Sequence, residues 1–170
     1  MSALTPLGIV HTAISLVALG AGIAALVKYH HIRDDTRPGQ VYLWGTVLTC
    51  LTGFGIFQHG GFGKPHALGV ITLAVLALAW WASRAPLFGR AGAAVASVSY
   101  SLTVFFHAIP GMTETSTRLP AGAPLASGPD DPRLQAAVGI AFLCFLVGAA
   151  WQLRDLRRHR PSPHGVQPAA

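Results

Sequence analysis

The sequence predicts an all-α integral membrane protein, a bundle of five transmembrane helices. The chain has 170 residues, of which 52% are hydrophobic and only 11% are charged. The charged residues lie almost entirely between apolar runs rather than inside them, as in multi-pass membrane proteins. Helices are expected because a backbone in lipid must satisfy its own hydrogen bonds, and the sequence lacks the alternation of a membrane β-barrel. A buried, soluble helical bundle is the less favoured alternative.

The apolar runs set the bounds of the predicted helices. Each run has roughly the 17 to 25 residues that cross about 30 Å of hydrocarbon. The predicted helices cover residues 6–27, 41–57, 65–82, 91–109 and 134–153. Segment 110–133 is rich in Pro, Gly, Ser and Thr, which predicts a loop over the outer end of the bundle. We expect one transmembrane domain over residues 1–160, followed by a disordered cytoplasmic tail over 161–170.

The basic residues predict the orientation of the bundle. Nine of the twelve Lys and Arg residues fall on loops and tails that share one face, namely Lys28, Arg33, Arg37, Arg84, Arg90, Arg154, Arg157, Arg158 and Arg160. By the positive-inside rule this face is cytoplasmic, with the N-terminus outside and the C-terminus inside. The net charge of +6 therefore reflects topology. Nucleic-acid binding is not expected, because the one dense basic cluster directly follows the last helix.

Four histidines lie at the same end of four different predicted helices. They are His11, His59, His66 and His107. The residues three or four positions away from each histidine are mostly small or hydroxyl-bearing, which is typical of the faces through which membrane helices pack. Each histidine is therefore predicted to point into the bundle at the outer level of the membrane. An ionisable side chain in that position is a candidate functional residue.

The chemistry of imidazole makes these histidines candidate ligands of haem b or of a metal ion. One ring nitrogen binds iron, copper or zinc, while a hydrogen bond at the other nitrogen orients the ring. The hydroxyls that would supply this bond are those of Ser15, Thr52 and Thr103. Two histidines on facing helices hold a haem iron axially. In an up-and-down bundle the candidate axial pairs are His11 with His66, or His59 with His107.

Small residues near the histidines bear on the choice between haem and a bare ion. They are expected to leave room for a flat macrocycle, and they are Gly22, Gly55, Gly69, Ala77 and Ala96. This space favours haem, although the same residues also suit plain close packing of helices. In the alternative reading, a copper, zinc or iron ion is bound by the four histidines with Glu114.

Other polar and aromatic residues receive weaker predictions. Glu114 and Arg118 follow His107, where they would act as a ligand, a proton relay or a substrate contact, or form a solvated loop pair. His30 and His31 are predicted to be interfacial, without a second haem. An aromatic belt at the cytoplasmic ends is predicted to contain Trp44, Trp80, Trp81, Trp151, Tyr29 and Tyr42.

Three stretches carry a resemblance to known proteins. They read HHIRDDTRPGQVYLWGTVLTCLTGFGI, PHALGVITLAVLALAWWASR and SYSLTVFFHAIPGMTETSTRLP. Over roughly residues 30 to 120 the chain resembles small bacterial multi-pass membrane proteins grouped as a family of unknown function. More loosely, it is similar to cytochrome b and ferric-reductase-like transmembrane bundles, although its histidines supply one membrane level rather than two. The resemblance implies a location in the bacterial inner membrane and assigns no catalytic residue.

The sequence thus leaves three functions open. The first is a haem b protein that transfers electrons between a quinone or membrane redox partner and an acceptor at the outer face. The second is a membrane protein that binds a non-haem metal or a small ligand through the histidines. The third is a structural or assembly subunit of a membrane complex. Whether the chain is an enzyme, and whether it forms a homo-oligomer, are both left open.

Overall fold

Helices account for all regular structure in the described part of the chain. A computed structural model describes residues 5–56, 61–120 and 122–158. The helices are α1 (Pro6–Tyr29), α2 (Arg37–Gly53), α3 (Lys64–Ala82), α4 (Gly92–Arg118) and α5 (Pro132–Arg158), with a 3₁₀ turn at Pro86–Ala91 before α4. Four of these helical segments, containing α1, α3, α4 and α5, are long and apolar enough to cross a membrane. The predicted all-α class with five helices is confirmed, and the protein is a multi-pass membrane protein.

Threonine and proline set the starts of the first two helices. Thr5 and Thr36 are the N-caps, and their hydroxyls accept hydrogen bonds from the backbone N–H groups of Gly8 and Gly39 at 3.1 and 3.3 Å. Pro follows each cap in the first turn, where its missing N–H costs nothing. A side chain at Gly39 would collide with the carbonyl of Arg33, so the turn into α2 requires glycine. This cap explains why α2 begins four residues before the predicted 41–57. The helix also ends four residues earlier than predicted, at Gly53.

Helix α4 is longer than predicted, and the outer loop is correspondingly shorter. The prediction ended helix four at residue 109 and assigned 110–133 to a loop, but α4 continues through Pro110 to Arg118. Thr113 and Thr117 donate hydrogen bonds to carbonyls one turn earlier, and Glu114 pairs with Arg118 at 2.5 Å along the same turn. These local interactions stabilise the helix beyond Pro110, which removes one backbone donor and whose ring crowds the carbonyl one turn earlier.

Four helices form a ring and the fifth packs outside it. Helix α1 contacts α2 and α4, α3 contacts the same two helices, and α5 packs on α4. Helices α1 and α3 are therefore diagonal to each other, as predicted for an up-and-down bundle. We call the end where α1 and α3 begin the histidine end, and the end where α2 and α4 begin the basic end.

The bundle has an apolar exterior and a partly polar interior. Residues such as Leu16, Val17 and Val27 expose 63 to 75% of their surface, as expected of faces that contact lipid. The buried polar residues are Thr46, Thr49, His66, Thr72, Ser97, Ser99, Thr103, His107 and Gln152. Because membrane helices associate through packing and hydrogen bonds rather than through hydrophobic burial, this distribution is the one a lipid environment favours.

Of the residues predicted to form an aromatic belt, the four tryptophans are exposed and Tyr42 is not. Trp44, Trp80, Trp81 and Trp151 are all exposed, with 47 to 64% of their surface accessible. Tyr42 is fully buried among the helices, and its hydroxyl lies 2.7 Å from the hydroxyl of Thr103. Its position five residues after the start of α2 turns it toward α4 rather than toward the membrane interface.

Candidate functional site at the histidine end

His11 is held by a hydrogen bond that determines which ring nitrogen carries the proton. Its Nδ1 lies 3.0 Å from the hydroxyl of Thr52 at the end of α2. That hydroxyl has one hydrogen and lies within donating distance of two backbone carbonyls, those of Leu48 at 2.8 Å and Thr49 at 3.1 Å. Thr52 must therefore accept from Nδ1–H, which leaves a free lone pair on Nε2 of the neutral ring. This is the state in which imidazole binds a metal, with Thr52 as the orienting partner that the sequence suggested.

His66 is in the opposite tautomer and has a different role. The backbone N–H of Gly63, the N-cap of α3, donates to Nδ1 of His66 at 3.2 Å. Nδ1 therefore carries the lone pair, and Nε2 carries the hydrogen in the neutral ring. The ring also stacks against Phe54, with centroids 6.5 Å apart. His66 closes the first turn of α3 in the way that Gln or Glu does in a capping box, and its neutral form does not present Nε2 to a metal.

His107 of α4 is buried, and one of its ring nitrogens has no hydrogen bond among the described residues. Only 6% of the residue is exposed, and its Nε2 has no hydrogen-bond partner within the described part of the chain. The ring of Tyr42 lies beside it, with centroids 6.3 Å apart. A buried polar atom left unpaired costs on the order of 1–3 kcal/mol, so natural proteins retain one mainly where it has a use.

Two of the four histidines, His11 and His107, interact electrostatically across adjacent helices. His11 lies within electrostatic range of His107, and the carboxylate of Glu114 lies within range of His11. Both rings are on adjacent helices of the ring, α1 and α4. The predicted pairs were His11 with His66 and His59 with His107. The tautomer of His66 disfavours the first pair, and His59 lies outside the described residues.

A multi-ligand metal site is not present among the described residues. Over 5–56, 61–120 and 122–158, no three side chains of His, Cys, Asp or Glu come close enough to hold an ion. Glu114 instead forms its ion pair with Arg118 on the exposed side of α4. Binding of one ion by all four histidines and Glu114 stays a prediction. His59 lies outside the described residues, and the other members of the set form no group of three ligands.

The glycines near the site are packed rather than open, contrary to the expectation of free space. A side chain at Gly22 would meet the ring of Tyr42 at 2.7 Å, and one at Gly69 would meet Phe54 at 2.9 Å. Gly55 is covered by Leu7 in the same way, at 3.0 Å. Neighbouring side chains therefore fill the places predicted to accommodate a macrocycle, and these glycines permit close helix packing.

The basic end contains a polar cluster that the sequence did not predict. His31 was expected to be interfacial, but its Nδ1 lies 2.7 Å from the hydroxyl of Ser97 and its Nε2 lies 3.1 Å from the carboxylate of Asp155. Gln152 of α5 accepts from Ser101 at 3.0 Å and donates to the carbonyl of His30 at 2.8 Å. One signal was available in the sequence: Ser97, Tyr100, Thr103 and His107 follow the spacing of a single helical face.

Compared with known protein families, curated proteins and solved structures, the chain matches none of them. The resemblance to bacterial membrane proteins and to cytochrome b-like bundles therefore stays a prediction. What can be inferred about function depends on the geometry of the histidine end and on the chemistry of its side chains.

Proposed function

We propose that this protein is a membrane haem b protein in which His11 and His107 would hold the haem iron. The observation that carries the proposal is the buried, unpartnered Nε2 of His107, with His11 in electrostatic range on the adjacent helix. His11 contributes an Nε2 lone pair, because Thr52 accepts the proton of its Nδ1. Two neutral imidazoles on two helices are the ligand set that a b-type haem takes.

The number of ligands favours haem over an ordinary metal site. A zinc or iron ion bound by protein needs three or four side chains, and the described residues contain no group of three candidate ligands. A haem iron already has four nitrogen ligands from its porphyrin and needs two more. Haem supplies a one-electron couple at iron, whose potential the protein tunes through its ligands and through burial.

The packing of the ring indicates where the cofactor would enter. Helices α1 and α4 are in contact over a small area, whereas α1 packs extensively on α2 and α3 packs extensively on α4. Haem held between α1 and α4 would therefore disturb the least packing, and these are the helices that carry His11 and His107. Because Tyr42 fills the space over Gly22, we expect its ring to move when haem binds.

The proposed setting is the bacterial inner membrane, with the histidine end at the outer face. The basic residues at the opposite end support this orientation through the positive-inside rule. The role is electron transfer between a quinone or membrane redox partner and an acceptor at the outer face. With one haem at one level, the chain requires a partner to carry electrons across the remaining membrane.

The test is a visible absorption spectrum of the full chain, purified in detergent from haem-replete cells, before and after dithionite. We expect a sharp α band of reduced haem b in the wild type and in His66→Ala, and its loss in His11→Ala and His107→Ala. His66→Ala is the matched control, because it removes another buried imidazole from the same end. In the neutral ring of His66, Nε2 carries the hydrogen and cannot bind iron. Loss of the band in His66→Ala with retention in His107→Ala contradicts the assignment.

A copper(I) ion held linearly by the two imidazoles is the second candidate. The packed glycines favour it, because a single ion needs far less space than a macrocycle. Imidazole is an accepted copper ligand, although soft sulfur ligands are preferred by copper(I). Elemental analysis of the same sample separates the two: iron with the haem band supports the first candidate, and copper without a band supports the second. A colourless, metal-free protein contradicts both and favours a structural subunit.

A further inference from the structure

Helices α1 and α2 enclose an apolar groove on the outer surface of the bundle. This α1–α2 groove has a volume of about 450 Å³ and is lined by Ala13, Ile14, Val17, Val41, Trp44, Gly45 and Leu48. A side chain at Gly45 would meet the β-carbon of Ala18 at 2.8 Å, so the two helix backbones lie close together there. The groove therefore has small residues at its floor and larger side chains along its sides.

The sides of the α1–α2 groove are open to the surroundings of the bundle. Val17 exposes 63% of its surface, Trp44 exposes 64% and Leu48 exposes 49%. No polar side chain lines the groove, so ordered water has nothing to bind there. In a membrane the material that fills such a groove is the hydrocarbon of a lipid.

Two basic residues lie beyond the groove, at the basic end of the bundle. Arg37 precedes Val41 by four residues and Trp44 by seven, which places these three side chains on one face of α2. On α1, Lys28 follows Val17 by eleven residues, or about three turns, and also shares its face. At about 1.5 Å per residue, Arg37 lies roughly 10 Å along the helix axis from Trp44, and Lys28 lies roughly 16 Å from Val17.

The charges of these two basic residues are not neutralised by the protein. Asp34 and Asp35 are the acidic residues of the connecting segment 30–36, and each pairs with another cation, Asp34 with Arg84 and Asp35 with Arg33. Within the described residues, neither of the two cations beyond the groove forms an ion pair. A pair of available positive charges beside an apolar groove complements a ligand that has both a negative head and a hydrocarbon chain.

We propose that the α1–α2 groove binds one anionic phospholipid from the membrane leaflet at the basic end. Lys28 and Arg37 hold its phosphate, and one acyl chain lies along Val17 and Trp44. The 10 to 16 Å between the cations and the groove residues fits an acyl chain, because one leaflet is about half of the roughly 30 Å hydrocarbon core. The apolar stems of Lys and Arg lie along the helix surface while their charged ends reach the headgroup level. This site is independent of haem and of the histidine end.

Trp44 provides the test, because its indole forms one side of the proposed site. Trp80, Trp81 and Trp151 are each replaced by Phe in the full chain, which leaves Trp44 as the only tryptophan. This parent variant is reconstituted in vesicles of equal parts phosphatidylglycerol and phosphatidylcholine. Either one lipid or the other carries bromine on its acyl chains, and bromine quenches tryptophan fluorescence on contact. From the relative quenching we expect a preference for phosphatidylglycerol of at least about fivefold.

Two double variants of the parent separate the groove from the general charge of the protein. Lys28→Gln with Arg37→Gln should reduce the preference to about that of the bulk lipid, within roughly twofold of unity. The matched control is Arg157→Gln with Arg158→Gln, which removes the same two charges from the basic end but from α5, a helix that packs on α4. The control should keep the preference of the parent within about twofold.

Equal quenching by the two brominated lipids in the parent overturns the proposal. So does an equal loss of preference in both double variants, because overall charge and not the groove would then attract the lipid. If excess inorganic phosphate abolishes the preference, the two cations bind free phosphate and the assignment to a lipid is wrong. Native mass spectrometry of the wild type gives a second readout with all four tryptophans present, and equal retention of the two lipids contradicts the proposal. Melting temperatures check that each variant is folded.

Discussion

The two ends of the bundle differ in how completely their buried polar groups are hydrogen-bonded. At the basic end His31 bonds through both ring nitrogens, and Gln152 bonds through both its oxygen and its nitrogen. At the histidine end His107 has a buried nitrogen without a partner in the described residues. The same residue type thus fastens α1 to two other helices at one end and is left incompletely bonded at the other.

This contrast teaches which histidine to examine for function. A fully bonded histidine in a membrane protein is explained by stability alone. An incompletely bonded one lowers stability and needs another explanation, because natural sequences lose such groups unless they serve a purpose. From sequence position alone, His66 and His107 were equal candidates for a ligand. Their hydrogen bonds distinguish them, because Nδ1 of His66 caps α3 whereas Nε2 of His107 has no partner among the described residues.

The largest expected effect is at the basic end. His31→Leu keeps a similar volume but leaves Ser97 and Asp155 without their shared partner, so we expect a loss of about 1–3 kcal/mol in the free energy of unfolding. The measurement is denaturant unfolding in mixed micelles, followed by helical circular dichroism. An unchanged midpoint would show that α5 is held by other contacts and would weaken the contrast between the two ends.

The matched substitution at the histidine end should have the opposite sign. His107→Leu removes a buried, unpartnered nitrogen, so the cofactor-free protein should gain roughly 1 kcal/mol while it loses any ability to bind haem. The same unfolding assay, run on protein from haem-depleted cells, gives the comparison with His31→Leu directly. Destabilisation of both variants by similar amounts would contradict the distinction between a fully bonded His31 and an incompletely bonded His107.

A smaller effect separates His66 from His107 within the histidine end. His66→Ala removes the acceptor for Gly63 N–H at the start of α3, and we expect a loss of about 1 kcal/mol. His66→Gln should restore most of it, because Gln at this position accepts the same bond in a capping box. His107→Gln is the contrasting variant and should not restore a haem band. If His66→Gln does not recover stability, then His66 stabilises the protein through its stacking on Phe54 and not through the cap of α3.

The smallest effect is a pH dependence at the start of α5. The backbone N–H groups of Ser127 and Arg133 donate to the carboxylate of Asp131, at 2.9 Å each, and hold its pKa below the ordinary value. A lowered folded-state pKa means that this stabilisation is present above the unfolded-state pKa and is lost as the pH falls through the folded-state value. Melting temperatures of the wild type and of Asp131→Asn should therefore converge below about pH 4 and differ slightly above it. A constant difference from pH 3 to pH 7 would show that the charge of Asp131 has no effect.

The length of the apolar runs predicted the ends of a helix well where hydrophobicity alone sets them. It predicted them less well where capping and other polar interactions set the ends. Helices α1 and α3 match their predictions within two residues at either end. Helix α2 starts early because Thr36 and Pro38 form a polar first turn that hydropathy does not register. Helix α4 passes Pro110 because threonine back-bonding and an ion pair support a turn made of polar residues.

The site was predictable in part. Helical periodicity predicted the stripe of His11, and hydroxyl chemistry gave Thr52 as one of three candidate hydrogen-bond partners without assigning it to His11. Periodicity could not reveal the tautomers, because these depend on which carbonyl Thr52 donates to and on the backbone of Gly63. The bonds of His31 depend on how α5 docks against α1 and α4, which no local pattern in residues 132–158 specifies.

The 17 residues of α2 have a further consequence for the surrounding lipid. At about 1.5 Å per residue this helix is roughly 25 Å long, shorter than the about 30 Å hydrocarbon core that its neighbours can cross. The acyl chains beside Val41, Leu48 and Leu51, which are exposed on α2, must therefore compress along that side of the protein. Such mismatch has a modest free-energy cost for each ångström and sorts membrane proteins by bilayer thickness. We expect the protein to be more heat-stable in bilayers of short-chain lipids than in those of long-chain lipids, with the deformation confined to one side of the bundle.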